Sequence, residues 1–328
     1  MTDTVLVVVS QSGFWVEELL KPLDRLEKAG YRVQFAAPTR EKGTPYPDPA
    51  SFDPDYVDPP LGRPVTLEAF LREQAEKYGR EPVQGGNGRV DWQATFREVW
   101  EPMFRDRIHL DEWLPTRPYL SDPAGGDGGG RRSYIERMED YYEARDRAWE
   151  RIGDYAGLLL VGGSGPMFDM VGNGAVHGLV LGFYYADKPI AAECYAVTCL
   201  AMARELDDRK SILSGRHVTG HTVEYDYTSG WAGYLEDRWV GFTGGAPFVL
   251  EYILRDAVLP DGAFHGNVGR KLSVIVDYPF ITSRSVGESD LCGAKLVEAL
   301  DGEKNGSRLL RYGWHQPGTP SPRAAPAG

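Results

Sequence analysis

The sequence predicts an α/β protein, a three-layer sandwich with a mostly parallel central sheet and an inserted helical lid. Three observations carry this expectation. Short β-branched or apolar runs alternate with amphipathic helical stretches near the start of the chain and in its second half. The alternation stops between residues 39 and 149, where prolines and glycines crowd. It resumes at Tyr155 with another buried strand, so the flanking parts complete one sheet.

Thr4–Ser10 (TVLVVVS) reads as a strand buried on both faces. Gln11-Ser12-Gly13 turns it. Glu17–Lys28 is a helix with Leu19, Leu20, Leu23 and Leu26 on one stripe, ended by Gly30. Tyr31–Ala37 is the second strand of a right-handed β-α-β unit. Residues 38–124 then hold 13 of the 23 prolines. Within the insertion, Leu67–Lys77, Trp92–Phe104 and Arg132–Ile152 are predicted helices. Its Trp92, Trp100, Trp113 and Trp149 read as packing anchors, with pocket lining as the alternative.

The second half supplies Tyr155–Val161 (strand), Val176–Tyr185 (helix), Lys188–Glu193 (strand) and Tyr195–Leu206 (helix). A short strand within Gly215–Thr222, a helix at Pro247–Asp256, a strand at Leu272–Asp277 and a helix at Ser289–Leu300 follow. The expected organisation is one domain, 1–314, with its core in 1–38 and 150–314 and the insertion in 39–149. The Pro/Ala/Gly-rich tail, 315–328, is expected to be disordered.

The 328 residues are 42% hydrophobic and 26% charged, a globular composition. Thirty-six basic against 48 acidic residues give a net charge of −12, which argues against nucleic acid or an anionic membrane as the partner. No apolar run reaches the roughly 18 residues of a membrane span. Val5–Val9 is too short and wrongly flanked for a secretory signal, so a cytoplasmic location is the default. Cys194, Cys199 and Cys292 make no disulfide framework. Neither CxxC nor HExxH occurs, so no metal site is expected.

Chemistry concentrates at Ala191-Ala192-Glu193-Cys194-Tyr195-Ala196-Val197, which joins a strand directly to a helix. A thiol there projects from a sharp turn at the carboxyl edge of a parallel sheet, the edge where open α/β sheets bind ligands. It also meets a helix N-terminus, which favours thiolate. The geometry is a nucleophile elbow with sulfur in place of oxygen. The competing reading is a small buried hydrophobe, which is how Cys199 and Cys292 are read. Gly162-Gly163-Ser164-Gly165 follows a buried strand, where backbone N–H groups suit an oxyanion, although a tight turn needs glycines too. Glu193 adjoins the thiol. It is either a structural acceptor or a substrate-contacting carboxylate.

Over residues 3–37 and 155–302 these pieces resemble the ThiJ/PfpI superfamily, the Cys-dependent branch of the flavodoxin-like class I glutamine-amidotransferase fold. Glu18, followed by Leu19-Leu20-Lys21-Pro22-Leu23-Asp24, resembles the family's glutamate that hydrogen-bonds the reactive sulfur, with Glu17 the competitor. Ile190–Cys194 resembles the elbow, and Gly162-Gly163 the oxyanion pair. One departure stands out: many members carry His after the cysteine, where this chain has Tyr195. The resemblance then points to Val218-Thr219-Gly220-His221 for an imidazole. On that match His221 faces the site and His217 is a solvated strand end. Asp277, which orients the missing His in one branch, has no client here.

The resemblance implies a cofactor-independent enzyme acting on an electrophilic carbonyl-type small molecule. Cys194 is its nucleophile, Glu18 stabilises the thiolate and His221 is a further catalytic candidate. Gly162, Gly163, Ser164, Tyr195 and Glu193 form the oxyanion or substrate site. A glyoxalase III-like lyase/hydratase is one form, and a specialised hydratase or hydrolase of secondary metabolism another. The resemblance also implies a homodimer. The alternatives are a redox-sensing stress chaperone and a ligand-binding protein of the same fold.

Overall fold

The structure is a computed structural model. It describes residues 3–40, 43–53, 57–58, 63–64, 67–86, 88–118, 134–224, 248–267 and 272–304. The tail at 315–328 lies outside the described residues.

The first apolar run forms β1 (Thr4–Val8) at the centre of the main sheet. It pairs in parallel with β2 (Arg32–Ala37), Val5 against Val33 and Val8 against Ala36. On its other side Val5 to Val8 lie against Gly157 to Leu160 of β4 (Gly157–Leu160). Beyond β2 lies β3 (Ile108–His109). Beyond β4 come β5 (Ile190–Glu193), β7 (Phe280–Ser283) and β6 (Val274–Asp277). The order is β6-β7-β5-β4-β1-β2-β3, parallel except for the β6/β7 pair.

Strand alternation divides the core into two layers. Val5, Val7, Leu159, Val161 and Ala191 point to one face. There they meet Leu19, Leu20, Leu23 and Leu26 of α1 (Val16–Lys28) and Leu296 and Leu300 of α8 (Ser289–Lys304). Leu6, Val8, Leu158, Leu160, Ile190 and Ala192 point to the other. There they meet α5 (Gly174–Tyr185), α6 (Val197–Met202) and α7 (Leu250–Ala257).

The inserted segment is built into both layers. Its longer described helices are α2 (Glu68–Lys77), α3 (Trp92–Val99) and α4 (Tyr134–Glu150). Trp92, Phe96, Trp100 and Phe104 pack in the α1 layer, with Phe104 edge-on to Phe35 at 4.9 Å and to Phe14 at 5.7 Å. Trp113 packs in the opposite layer against Tyr155 and donates its indole N–H to the Ala148 carbonyl at 3.0 Å. Trp149 lies on α5 and donates to the Gly178 carbonyl at 2.9 Å. These tryptophans are anchors on the core layers. The segment also gives the sheet its edge strand β3, which no alternating pattern in the sequence announced.

Two further elements differ from expectation. The helix expected over Tyr195–Leu206 ends at Met202, because Ala203 is extended and Arg204 bridges to Ser211. The strand expected within Gly215–Thr222 is His217–Val218. It pairs with Ala263–Phe264 in a separate two-stranded ribbon rather than joining the main sheet.

Candidate active site

β5 ends at Glu193 with extended backbone, and Cys194 turns at once into the left-handed region with φ +53°. For a residue with a Cβ this conformation costs ~1–3 kcal/mol and persists only where the surroundings impose it. A 3₁₀ turn over Cys194–Ala196 then runs straight into α6. The direct strand-to-helix turn read from the sequence is therefore present, with Cys194 at its corner. Cys194 is 5% exposed, packed with Met167, Tyr195 and Leu250.

Glu18 stands in the first turn of α1, buried, and shares a hydrogen bond with the Cys194 side chain. Burial pushes its carboxyl up to about 8, the bond to Cys194 opposes that, and the charge of Glu288 adds to it. Glu18 is thus mostly protonated at neutral pH and able to donate to sulfur. The competitor Glu17 is engaged elsewhere. It accepts from the Leu67 N–H at 2.5 Å and pairs with Lys21.

The glycine pair is required by close packing. A Cβ on Gly162 would lie 2.4 Å from Glu18 Oε2, 2.5 Å from the Glu193 carbonyl and 2.6 Å from the Cys194 Cβ. Gly163 has φ +101°, and a Cβ there would meet the Trp15 amide at 2.4 Å. The Trp15 N–H donates to the Gly162 carbonyl at 3.1 Å, tying the start of α1 to this turn. Gly162 therefore lets Glu18 and Cys194 meet. The Ser164 hydroxyl is committed to the buried Asp48, at 2.5 Å, and to the Gly13 carbonyl.

Strand alternation sends Glu193 to the same face as Ala191, between α1 and α8. It is fully buried. Burial and then the nearby Glu18 hold its carboxyl well above the ordinary range, with the Ser289 and Ser283 hydroxyls opposing the rise. Two buried carboxyls, both raised above their ordinary range, thus adjoin the turn. Tyr195 is buried, and its ring packs on the buried His221 with centroids 4.2 Å apart. The structure therefore brings Cys194, Glu18, Gly162 and Glu193 together and packs His221 on the ring of Tyr195, the residue after the cysteine.

The other candidates separate cleanly. Cys199 and Cys292 are buried, and burial raises both thiols far above their ordinary range. Asp277 accepts from Arg216 Nη1 at 3.1 Å and the His217 N–H at 2.9 Å, a structural role. His217 is not a solvated strand end: its Nδ1 lies 3.0 Å from His265 Nε2, and the two rings stack. Sequence reasoning missed Glu288, which presses on Glu18 from behind and forms a fully buried ion pair with Arg284 at 2.6 Å. The available signal was Ser285-Val286-Gly287-Glu288, a capping-box pattern that the structure forms.

No protein-family model matches the chain, and no curated protein does. Solved structures do. Glyoxalase III from Candida albicans superposes with a TM-score of 0.57 at 13% identity, over 90% of this chain and 97% of that one. The Rapid Encystment Protein of Francisella tularensis gives 0.55 at 17% identity, over 92% of this chain and 99% of that one. Identities this low speak for the fold alone. Among the described residues no helix is long and apolar enough to cross a membrane. The strand order and these superpositions together give the chain the mostly parallel, three-layer α/β fold that these structures share, with extra helices beyond its core.

Proposed function

We propose that the chain is a cofactor-independent enzyme in which Cys194 attacks an electrophilic carbonyl carbon of a small molecule. The observation that carries this is the contact of Cys194, at φ +53°, with a Glu18 carboxyl held protonated by burial. A protonated carboxyl donating to sulfur lowers the energy of the thiolate without adding a second negative charge. The sulfur is then the nucleophile, and the Gly163 and Tyr195 amides are the donors to the developing oxyanion.

With a 2-oxoaldehyde the electrons balance within the substrate. Thiolate adds to the aldehyde carbon and the oxyanion takes a proton, giving a hemithioacetal. The proton on that carbon moves to the neighbouring ketone carbon through an enediol, with Glu18 or His221 carrying it, and leaves a thioester. Water releases a 2-hydroxy acid and returns the thiol. One carbon is oxidised and its neighbour reduced, and the net change is addition of water.

Iodoacetamide labelling followed by intact mass against pH tests this on wild type, Cys194→Ala and Glu18→Gln. One site labels with an apparent pKa well below the ~8.5 of a free thiol. Cys194→Ala abolishes it, and Glu18→Gln shifts it. A Cys194 that stays inert until the protein is denatured overturns the proposal. Labelling with no turnover of any aldehyde, nitrile or amide, together with oxidation of Cys194 by peroxide, selects the redox-sensing alternative.

A further inference from the structure

A second site lies away from the elbow. Between α4 of the inserted segment and the core there is a cavity of about 490 Å³, within the size range of small-molecule sites. It shares no lining residue with the cluster around Cys194. In a chain of net charge −12, its described lining carries Arg117, Arg145, Arg204 and Arg209 and no Asp or Glu. Arg117 and Arg145 come from the insertion, and Arg204 and Arg209 from the irregular stretch after α6. The two parts of the chain complete the cavity together.

Arg145 supplies an independent observation. Its residue is 7% exposed, and its guanidinium stacks on Trp149 at 4.4 Å and on Tyr142 at 4.8 Å. Asp146 takes its Nε and Nη2 at 3.0 and 2.6 Å. Its Nη1 is buried and meets no acceptor among the described residues. A buried charged donor without an acceptor is costly, so its natural complement is an anionic oxygen from outside the chain. Arg209 reaches the Tyr142 hydroxyl at 3.4 Å, and that bond, reinforced by Arg117 and Arg145, pulls the hydroxyl below its ordinary value. Three arginines of the lining thus act on this one hydroxyl.

We infer that this cavity binds a small organic molecule carrying two or more negative charges as phosphate or carboxylate groups. Guanidinium forks match either oxyanion bidentately, and the Tyr141 and Tyr142 rings offer flat walls to the rest of the ligand. Asp146 offsets part of the Arg145 charge, and the other three arginines repel one another when the cavity is empty; a polyanion turns that repulsion into attraction. The site is independent of the Cys194 chemistry.

The test is isothermal titration calorimetry of the full chain at low salt, with pyrophosphate and citrate as probes. One saturable site per chain is expected for at least one probe, weakening as salt rises. Arg204→Gln and Arg145→Gln each weaken it at least tenfold. Arg40→Gln, an exposed arginine elsewhere, leaves it unchanged, as does Cys194→Ala. Binding of pyrophosphate alone identifies a phosphate ester, and binding of citrate alone a polycarboxylate. If Arg145→Gln fails to fold, Arg204→Gln decides. No saturable heat with either probe overturns the inference, as does equal affinity in all the arginine variants or loss of binding in Cys194→Ala.

Discussion

Replacing Glu18 by glutamine keeps the shape and a donor toward sulfur but removes a proton that the folded chain holds and the unfolded chain releases. The carboxyl is moved from its ordinary 4.5 to about 8. At 1.36 kcal/mol for each tenfold change, the penalty for ionising Glu18 in the fold is on the order of 5 kcal/mol. The native state binds the proton up to about pH 8, while the unfolded state loses it near 4.5. Stability from this group is therefore complete below the lower value and is lost as pH rises through the upper one. Between these values it contributes a downward slope of ~1.4 kcal/mol per pH unit. Glu18→Gln removes that contribution. Glu193, raised in the same direction, leaves its own slope in place, eased by the missing charge beside it. Urea unfolding from pH 5 to 8.5 measures the difference directly. Wild type loses stability with rising pH more steeply than the glutamine variant, by about one proton. Parallel stability–pH profiles for the two proteins refute the claim that Glu18 is a protonated, buried carboxyl, and with it the account of how the sulfur is held.

Two other substitutions probe the same region. Gly162→Ala places a methyl within 2.6 Å of Glu18, of the Glu193 carbonyl and of Cys194, two of these contacts being with atoms that move little. It should cost ~3 kcal/mol or more and abolish labelling of Cys194, as read by chemical denaturation and intact mass. Arg284→Met strands the buried Glu288 carboxylate and should cost ~3–5 kcal/mol, whereas Arg284→Met with Glu288→Gln, which removes the charge but keeps an acceptor for the Ser273 and Ser285 amides, recovers part of that loss in a double-mutant cycle.

The sequence showed the elbow because its signals are local: an apolar strand, no loop, then helix formers around Cys194. The partner carboxylate was legible to within one position, Glu17 or Glu18. Only the orientation of α1 decides between them, sending one to Leu67 and Lys21 and the other to the cysteine. The Ser164 hydroxyl, adjacent to the glycines, looked available until Asp48, 116 residues away in the chain, took it. β3 was illegible because two residues carry no periodicity, and their pairing comes from the segment's path beside β2. The helix after the elbow was read too long because Ala203-Arg204-Glu205-Leu206 favours helix, while the bridge to Ser211 pulls it away. The stretch at 225–247, between two candidate site elements, lies outside the described residues.

The aromatic residues of the inserted segment have a consequence for how this chain comes apart. Phe104 is fully buried against Phe14 and Phe35, Trp100 is fully buried beside Phe96, and Trp113 and Leu114 fill the opposite layer. Excising 39–149 would strip one edge strand and expose apolar surface in both core layers, so the remainder is expected to be less stable than the whole. Segment and core are expected to melt in one cooperative step, read as coincident fluorescence and circular-dichroism transitions. The insertion has a beginning and an end in the sequence, but its described aromatic residues belong to the same two core layers as the rest of the chain.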